Sequence, residues 1–258
     1  MAVAGSAAPA QDATHCSVAP LSKAELREGD AASRRFRALQ TRERAPDLMG
    51  FRSGPRLPEP SARERRRIRE WSGERRFFGL NPSHLLVRRL MRDHSSRSRT
   101  SFVIGIKVTR IEERDLLFRT RIDDALGRVD AYGKRCARDT WADVYLDHGR
   151  WPARYRVVAL FKGPLAAQRR ALTRRYRFRQ LMDLRRVRYS LRELLAVQRD
   201  IDWDEWKARG FEINNTGIDS ERNAVVVGME HPSKAAREAF RERYGRAVIV
   251  TGEVLEEL

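Results

Sequence analysis

The sequence predicts an α+β protein built from a duplicated unit, and three observations lead there. The stretch Asn223–Gly245 (NAVVVGMEHPSKAAREAFRERYG) aligns without a gap on Tyr155–Arg177 (YRVVALFKGPLAAQRRALTRRYR), 68 positions earlier, so that Val225/Val157, Val226/Val158, Pro232/Pro164, Arg237/Arg169, Arg243/Arg175 and Tyr244/Tyr176 coincide. β-Branched runs bounded by Gly and Pro alternate with stretches of helical period. Hydrophobic residues make up 41% of 258, enough for a sizeable core and one to two domains. The repeat is too long for a solenoid, whose units run about 20–50 residues, so domain duplication accounts for it better.

Residues 1–58 lack sustained periodicity and hold Gly, Pro and Ser clusters, as in GFRSGPRLPEP, so they read as a mobile arm with short helices at most around Lys23–Arg44. A basic helical region spans 59–108. Ser61 and Glu64 form a capping box ahead of RERRRIREW. In GLNPSHLLVRRLMRD, Asn81 suits an N-cap and Pro82 the first helical position. Ser101–Val108 is a short apolar connection or strand.

The first α/β module spans 109–189. Thr109 and Glu112 cap a long helix running towards Arg138. Strands follow at Ala142–Asp147 and Tyr155–Phe161, around a turn holding Gly149, and Leu184–Tyr189 closes the module. Gly163-Pro164 starts its second helix, with Leu165, Leu172 and Tyr176 inward and Arg169, Arg170, Arg174 and Arg175 outward. The second module, 190–258, repeats the order. A helix capped by Ser190 and Glu193 runs on to Gly210 at a C′ position. Strands at Phe211–Asn215 and Ala224–Met229 flank a loop holding Gly217. A helix starts at Pro232-Ser233 and stops at Gly245, and Ala247–Thr251 is the last strand. Each module thus reads helix–strand–strand–helix–strand, a small mixed sheet that its helices must cover.

Charge bears on partners. The chain carries 53 basic and 35 acidic residues, a net charge of +18. Residues 1–100 hold 21 basic and 11 acidic side chains, 101–200 hold 24 and 12, and 201–258 hold 8 and 12. Nucleic acid, an anionic envelope or an acidic protein would suit such a field. Arg65, Arg66 and Arg67, with Arg169, Arg170, Arg174 and Arg175, are the residues a nucleic-acid reading would use. Most of the 47 arginines nevertheless read as solvated helix faces. No apolar run approaches the roughly 18 residues of a membrane span.

Catalytic signatures are absent from the sequence: there is no G-x-S-x-G, no Gly-rich phosphate loop and no H-E-x-x-H. Neither cofactor nor metal is expected, and a non-enzymatic role is the better expectation. Asp147-His148 reads as a solvated pair in a turn, and Asp123-Asp124 and Glu112-Glu113 as members of intrahelical ion pairs. Trp203 and Trp206 read either as a partner-binding patch or as core beneath the adjacent strand. Cys16 and Cys136 either form one disulfide in an exported protein or stay as two structural thiols. MAVAGSAAPAQDA is either the tail of a secretion signal cleaved near Ala8-Pro9-Ala10, its start lying upstream, or an Ala-rich leader. The first places the chain outside the cell or in its envelope, the second in the cytoplasm.

The order VRYSLRELLAVQRDI, a Gly-ended helix, D-x-x-x-N-x-V-V-V-G and a helix ending RYG before VIV resembles the pro-regions of secreted bacterial serine proteases of the streptogrisin and α-lytic type. The residues that carry it are Tyr189–Ile201, Asp219, Asn223, Val225–Gly228, Tyr244-Gly245 and Val248–Val250. The upstream run DTWADVYLDH with VVALFKG is similar to a preceding module of related actinobacterial secreted proteins, so the likeness covers roughly 80–258. It implies a folding template and inhibitor that packs a small sheet against a trypsin-like serine protease by strand addition. Val248, Ile249 and Val250 would supply the contact, flanked by Trp203 and Trp206. With no protease domain in these residues, it also implies action in trans or a binding role kept for another purpose. The acidic end EVLEEL does not resemble a processing site.

Overall fold

A computed structural model describes residues 16–43, 56–149 and 155–252, and it is a mixed α+β structure with three small sheets among those residues. The candidate cleavage site at Ala8-Pro9-Ala10 and the residues from 253 on lie outside them.

The first departure from expectation is in the supposed arm. Lys23–Glu43 is a 21-residue helix, α1. Ser33, Phe36 and Gln40 are buried along one side, and a Cβ on Gly29 would stand 2.0 Å from the Arg177 carbonyl oxygen. This inner stripe of Gly, Ser, Phe and Gln contains one apolar side chain, so hydrophobic period did not reveal it. The segment is fixed to the first module by a Cys16–Cys136 disulfide, which resolves the two readings of the cysteines. Arg175 and Arg128 donate to the carbonyls of Val18 and Ala19 at 2.7 Å each, and Asp30 pairs with Arg179.

Helix α2 (Ala62–Phe77) is capped by Ser61, whose hydroxyl accepts from Glu64 N. Helix α3 (His84–Arg92) begins two residues later than expected, with Ser83 rather than Asn81 at its N-cap. The Asn81 carboxamide instead accepts from Ser83 N at 3.0 Å, and its carbonyl takes Arg75 Nε at 2.6 Å. The apolar run 101–108 is mostly a turn. Strands β1 (Ser98–Thr100) and β2 (Lys107–Thr109) pair across it as a hairpin. Helix α4 (Arg110–Cys136) opens on the Thr109/Glu112 capping box. Glu112 is not in an intrahelical pair: it meets Arg75 of α2, and both side chains are wholly buried. Glu113 likewise turns to another element, accepting from Phe102 N. Asp123 is exposed at its surface, yet desolvation by the neighbouring chain first and the Asp124 charge second push its carboxyl up to about 6.

The two modules share one topology. In the first, β3 (Trp141–Asp147) pairs antiparallel with β4 (Arg156–Lys162), α5 (Ala166–Thr173) crosses over, and β5 (Met182–Val187) returns parallel to β4. In the second, β6 (Asn215–Asp219), β7 (Ala224–Gly228), α8 (Lys234–Tyr244) and β8 (Val248–Thr251) repeat this order. Partner pairs Val157↔Met182 and Val225↔Val248 are equivalent. The duplication read from sequence is therefore a duplication of structure.

Two boundaries in the second module differ from expectation. The helix after Ser190 is two helices, α6 (Leu191–Asp200) and α7 (Trp203–Ala208), because Asp202 caps the second by accepting from Asp204 N and Glu205 N. An internal Asp with a free carboxylate competes for helix N–H groups in this way. The strand expected at Phe211–Asn215 lies at Asn215–Asp219, so Gly217 is mid-strand opposite Val226 and not in the loop. Phe211 instead packs near the Trp206 ring at 6.0 Å.

The modules are joined by polar contacts. Asn223, at φ 50°, accepts from Arg188 N and Tyr189 N at 3.0 and 2.9 Å and donates to Tyr189 O at 2.9 Å. Ser220 bonds to Asp143, Lys162 pairs with Glu193, and Arg192 with Asp139. Asn tolerates the left-handed region better than most residues, so local backbone and linker contact select the same side chain.

Candidate interaction surface

Strand β8 is presented by α8 and the turn that follows it. Ser233 caps α8 by accepting from Ala236 N at 3.0 Å, and Gly245, at φ 64°, ends it. Only glycine takes that conformation without cost, so the chain reverses there into a short 3-10 turn and enters β8. The sheet order β6-β7-β8 leaves β8 at an edge. Met229 N donates to Thr251 O at 3.0 Å across the β7 side. Strand residues turn their N–H and C=O groups alternately to the two sides, so those of Val248 and Val250 face away from β7. Their side chains belong to the core: Val248 is buried and Val250 packs against the same cluster. Ile249 lies on the other face, level with Val226 and Gly217. The three residues offered as a contact strand are thus together at one edge, with backbone groups to donate and accept.

The expected flanking pair is divided. Trp203 stands 45% exposed on α7. Trp206 is wholly buried, stacked on Phe240 at 3.7 Å with Arg209 over its other side at 4.4 Å. Helical spacing of three put the tryptophans on neighbouring faces, but only the packing of α8 determines which one is covered. Trp206 is core, and a partner cannot reach it.

The arginines also divide. Arg65, Arg66 and Arg67 are exposed on α2, where Arg66 pairs with Glu70 at 2.8 Å and Arg67 lies over Trp71 at 5.2 Å. Arg169, Arg170 and Arg174 are exposed on or next to α5. Arg175 does not face out: it is buried, bonds to Val18 O and Ala171 O, and lies over the Tyr132 ring. The N-terminal segment that covers it was read as an arm, which is why its burial went unforeseen.

His148 is not a solvated partner of Asp147. It is half-buried among the rings of Phe77, Phe78 and Tyr155, at 6.0, 5.5 and 5.5 Å. Burial first and the Arg119 charge second push it down to about 4 from 6.5. A depressed folded value means the unfolded chain takes up the proton first. The stability this site contributes is therefore full above about 6.5 and is lost as pH falls towards about 4. Replacing His148 by Phe should flatten that part of the stability–pH curve, measured as urea midpoints between pH 7 and pH 4. An unchanged slope would reject the assignment.

No group of three His, Cys, Asp or Glu residues among those described is placed to hold a metal ion, and no described helix is long and apolar enough to cross a membrane. Compared with known proteins, the chain matches no family model and no curated protein.

Proposed function

We propose that this chain is a non-catalytic protein-binding protein that offers the β8 edge to an extended strand of its partner, in the manner of a serine-protease pro-region. The observation that carries this is the open side of β8, where the backbone groups of Val248 and Val250 have no partner strand among the described residues. Edge strands left open are templates for a further strand, and main-chain hydrogen bonds then supply affinity. The motif likeness at Tyr189–Ile201 and Val225–Gly228 directs the choice of partner to a trypsin-like protease. The Cys16–Cys136 disulfide favours an oxidising compartment, where such proteases are secreted.

The test is a titration of the whole chain against secreted chymotrypsin-fold proteases, following hydrolysis of a peptide substrate. Saturable inhibition should fall at least tenfold in the Val250→Pro variant, which removes one outward N–H and spares the β7 ladder. A thermal melt of the variant separates lost binding from lost folding. Protease activity that never changes, or inhibition equal in both proteins, would sink the proposal. A nucleic-acid role resting on Arg65–Arg67, Arg169, Arg170 and Arg174 predicts instead binding that weakens steeply with salt.

A further inference from the structure

We propose that the tip of the β1–β2 hairpin, together with the arginine stripe beside it on α4, is a docking surface for an anionic lipid bilayer. Phe102 is 92% exposed, the most exposed large apolar side chain among the described residues. Val103 and Ile104 follow it, partly exposed, and Gly105 at φ 67° closes the turn. Val103 and Ile104 pack partly against Leu80, Val108 and Leu116, so the tip leaves the Phe102 ring to water, where it is costly unless something takes it up.

The tip is held rigidly. Ser101 Oγ accepts from Val103 N and Ile104 N at 3.1 and 3.4 Å. Gly105 N donates to Ser101 O at 3.0 Å, and Ser101 N to Ile106 O at 2.8 Å. Glu113 of α4, only 3% exposed, accepts from Phe102 N at 3.2 Å. A loop so fully bonded holds Phe102 outward as its settled conformation, so insertion would cost little further ordering.

Charge identifies the surface it meets. From residue 94 to 122 every acidic side chain, Glu112, Glu113 and Asp115, is buried. Arg97, Arg99, Arg110, Arg114 and Arg121 are all exposed in the same span. Arg110, Arg114, Leu117 and Arg121 recur at helical spacing on one side of α4, and Leu117 is 42% exposed one turn beyond Glu113. The exposed Asp123 and Asp124 end the stripe beyond Arg121. An apolar tip beside a mainly basic stripe matches a bilayer interface, where apolar side chains enter the acyl boundary and cations meet headgroup phosphates. Nucleic acid fits less well, because the tip offers the single ring of Phe102 and its neighbours Val103 and Ile104 have none on which a successive base could stack.

The full chain should co-sediment with vesicles of phosphatidylglycerol and phosphatidylcholine, and not with phosphatidylcholine alone. Phe102→Ser should lower the partition coefficient about tenfold or more, since most of a phenylalanine's burial is lost. Its exposure in the fold means the variant should keep its melting temperature. Arg99→Gln combined with Arg114→Gln should weaken binding most at low salt. Failure of the wild type to bind anionic vesicles, or equal binding by Phe102→Ser, would overturn the proposal. So would binding to a single-stranded oligonucleotide that displaces the vesicles and is indifferent to Phe102→Ser.

Discussion

Reducing the Cys16–Cys136 disulfide should lower the stability of the protein by about 4–5 kcal/mol, because the bond closes a loop spanning 120 residues of the unfolded chain. The loss would not be shared evenly. Without the bond, the segment around Val18 and α1 is held by Phe36, the Asp30–Arg179 pair and the Arg175 and Arg128 hydrogen bonds. Its local opening should therefore become far easier than opening of the second module, whose core has no contact with it through this bond. Urea unfolding with and without reductant measures the total. Limited trypsin cleavage at the arginines of α1 measures the local part. Equal midpoints in the two redox states would show that the bond contributes nothing.

The second large effect is expected at Arg75. Its side chain and that of Glu112 are wholly buried, Nη1 donates at 3.3 Å, Nη2 forms a second bond to the same carboxylate, and Nε reaches Asn81 O at 2.6 Å. Arg75→Ala would leave Glu112 charged, buried and without its cation, at a cost of about 3–5 kcal/mol. The carboxylate also accepts from Thr109 N at 2.8 Å, so the cap of α4 would be disturbed with it. Arg75→Met combined with Glu112→Gln should recover much of the loss, since the uncompensated charge is then gone. A single variant within about 1 kcal/mol of wild type would contradict this account of the α2–α4 contact.

Local signals carried most of the fold. The capping residues Ser61, Thr109, Ser190 and Ser233, the stop at Gly245 and the duplicated Val-rich strands were all readable, because each is fixed by backbone groups a few residues away. What stayed hidden depended on distant chain. Helix α1 was obscured by its polar inner stripe at Gly29, Ser33 and Gln40. Arg175 looked solvated until the Val18 carbonyl was placed against it. Trp206 could not be told from Trp203 without α8 above it. Gly217 read as a loop signal, yet in β6 it sits across from Val226, where a side chain is not needed. The strand at Val248–Val250 was singled out through the motif likeness, and only the sheet order β6-β7-β8 puts it at an edge. The hairpin tip carried its signal too, three apolar residues ahead of Gly105, but exposure gave that signal its meaning.

The docking of α1 also sets a timetable for synthesis. Arg37 bonds to the Gln180 carbonyl, 143 residues further along, so the helix leaves the ribosome long before its resting place exists. At about 5–20 residues per second that interval is roughly 7–30 s. For most of it Phe36 lacks the Phe118 and Tyr155 rings and the Cys16 thiol waits for Cys136, 120 residues on, so the nascent chain exposes a ring and a thiol that the finished protein covers.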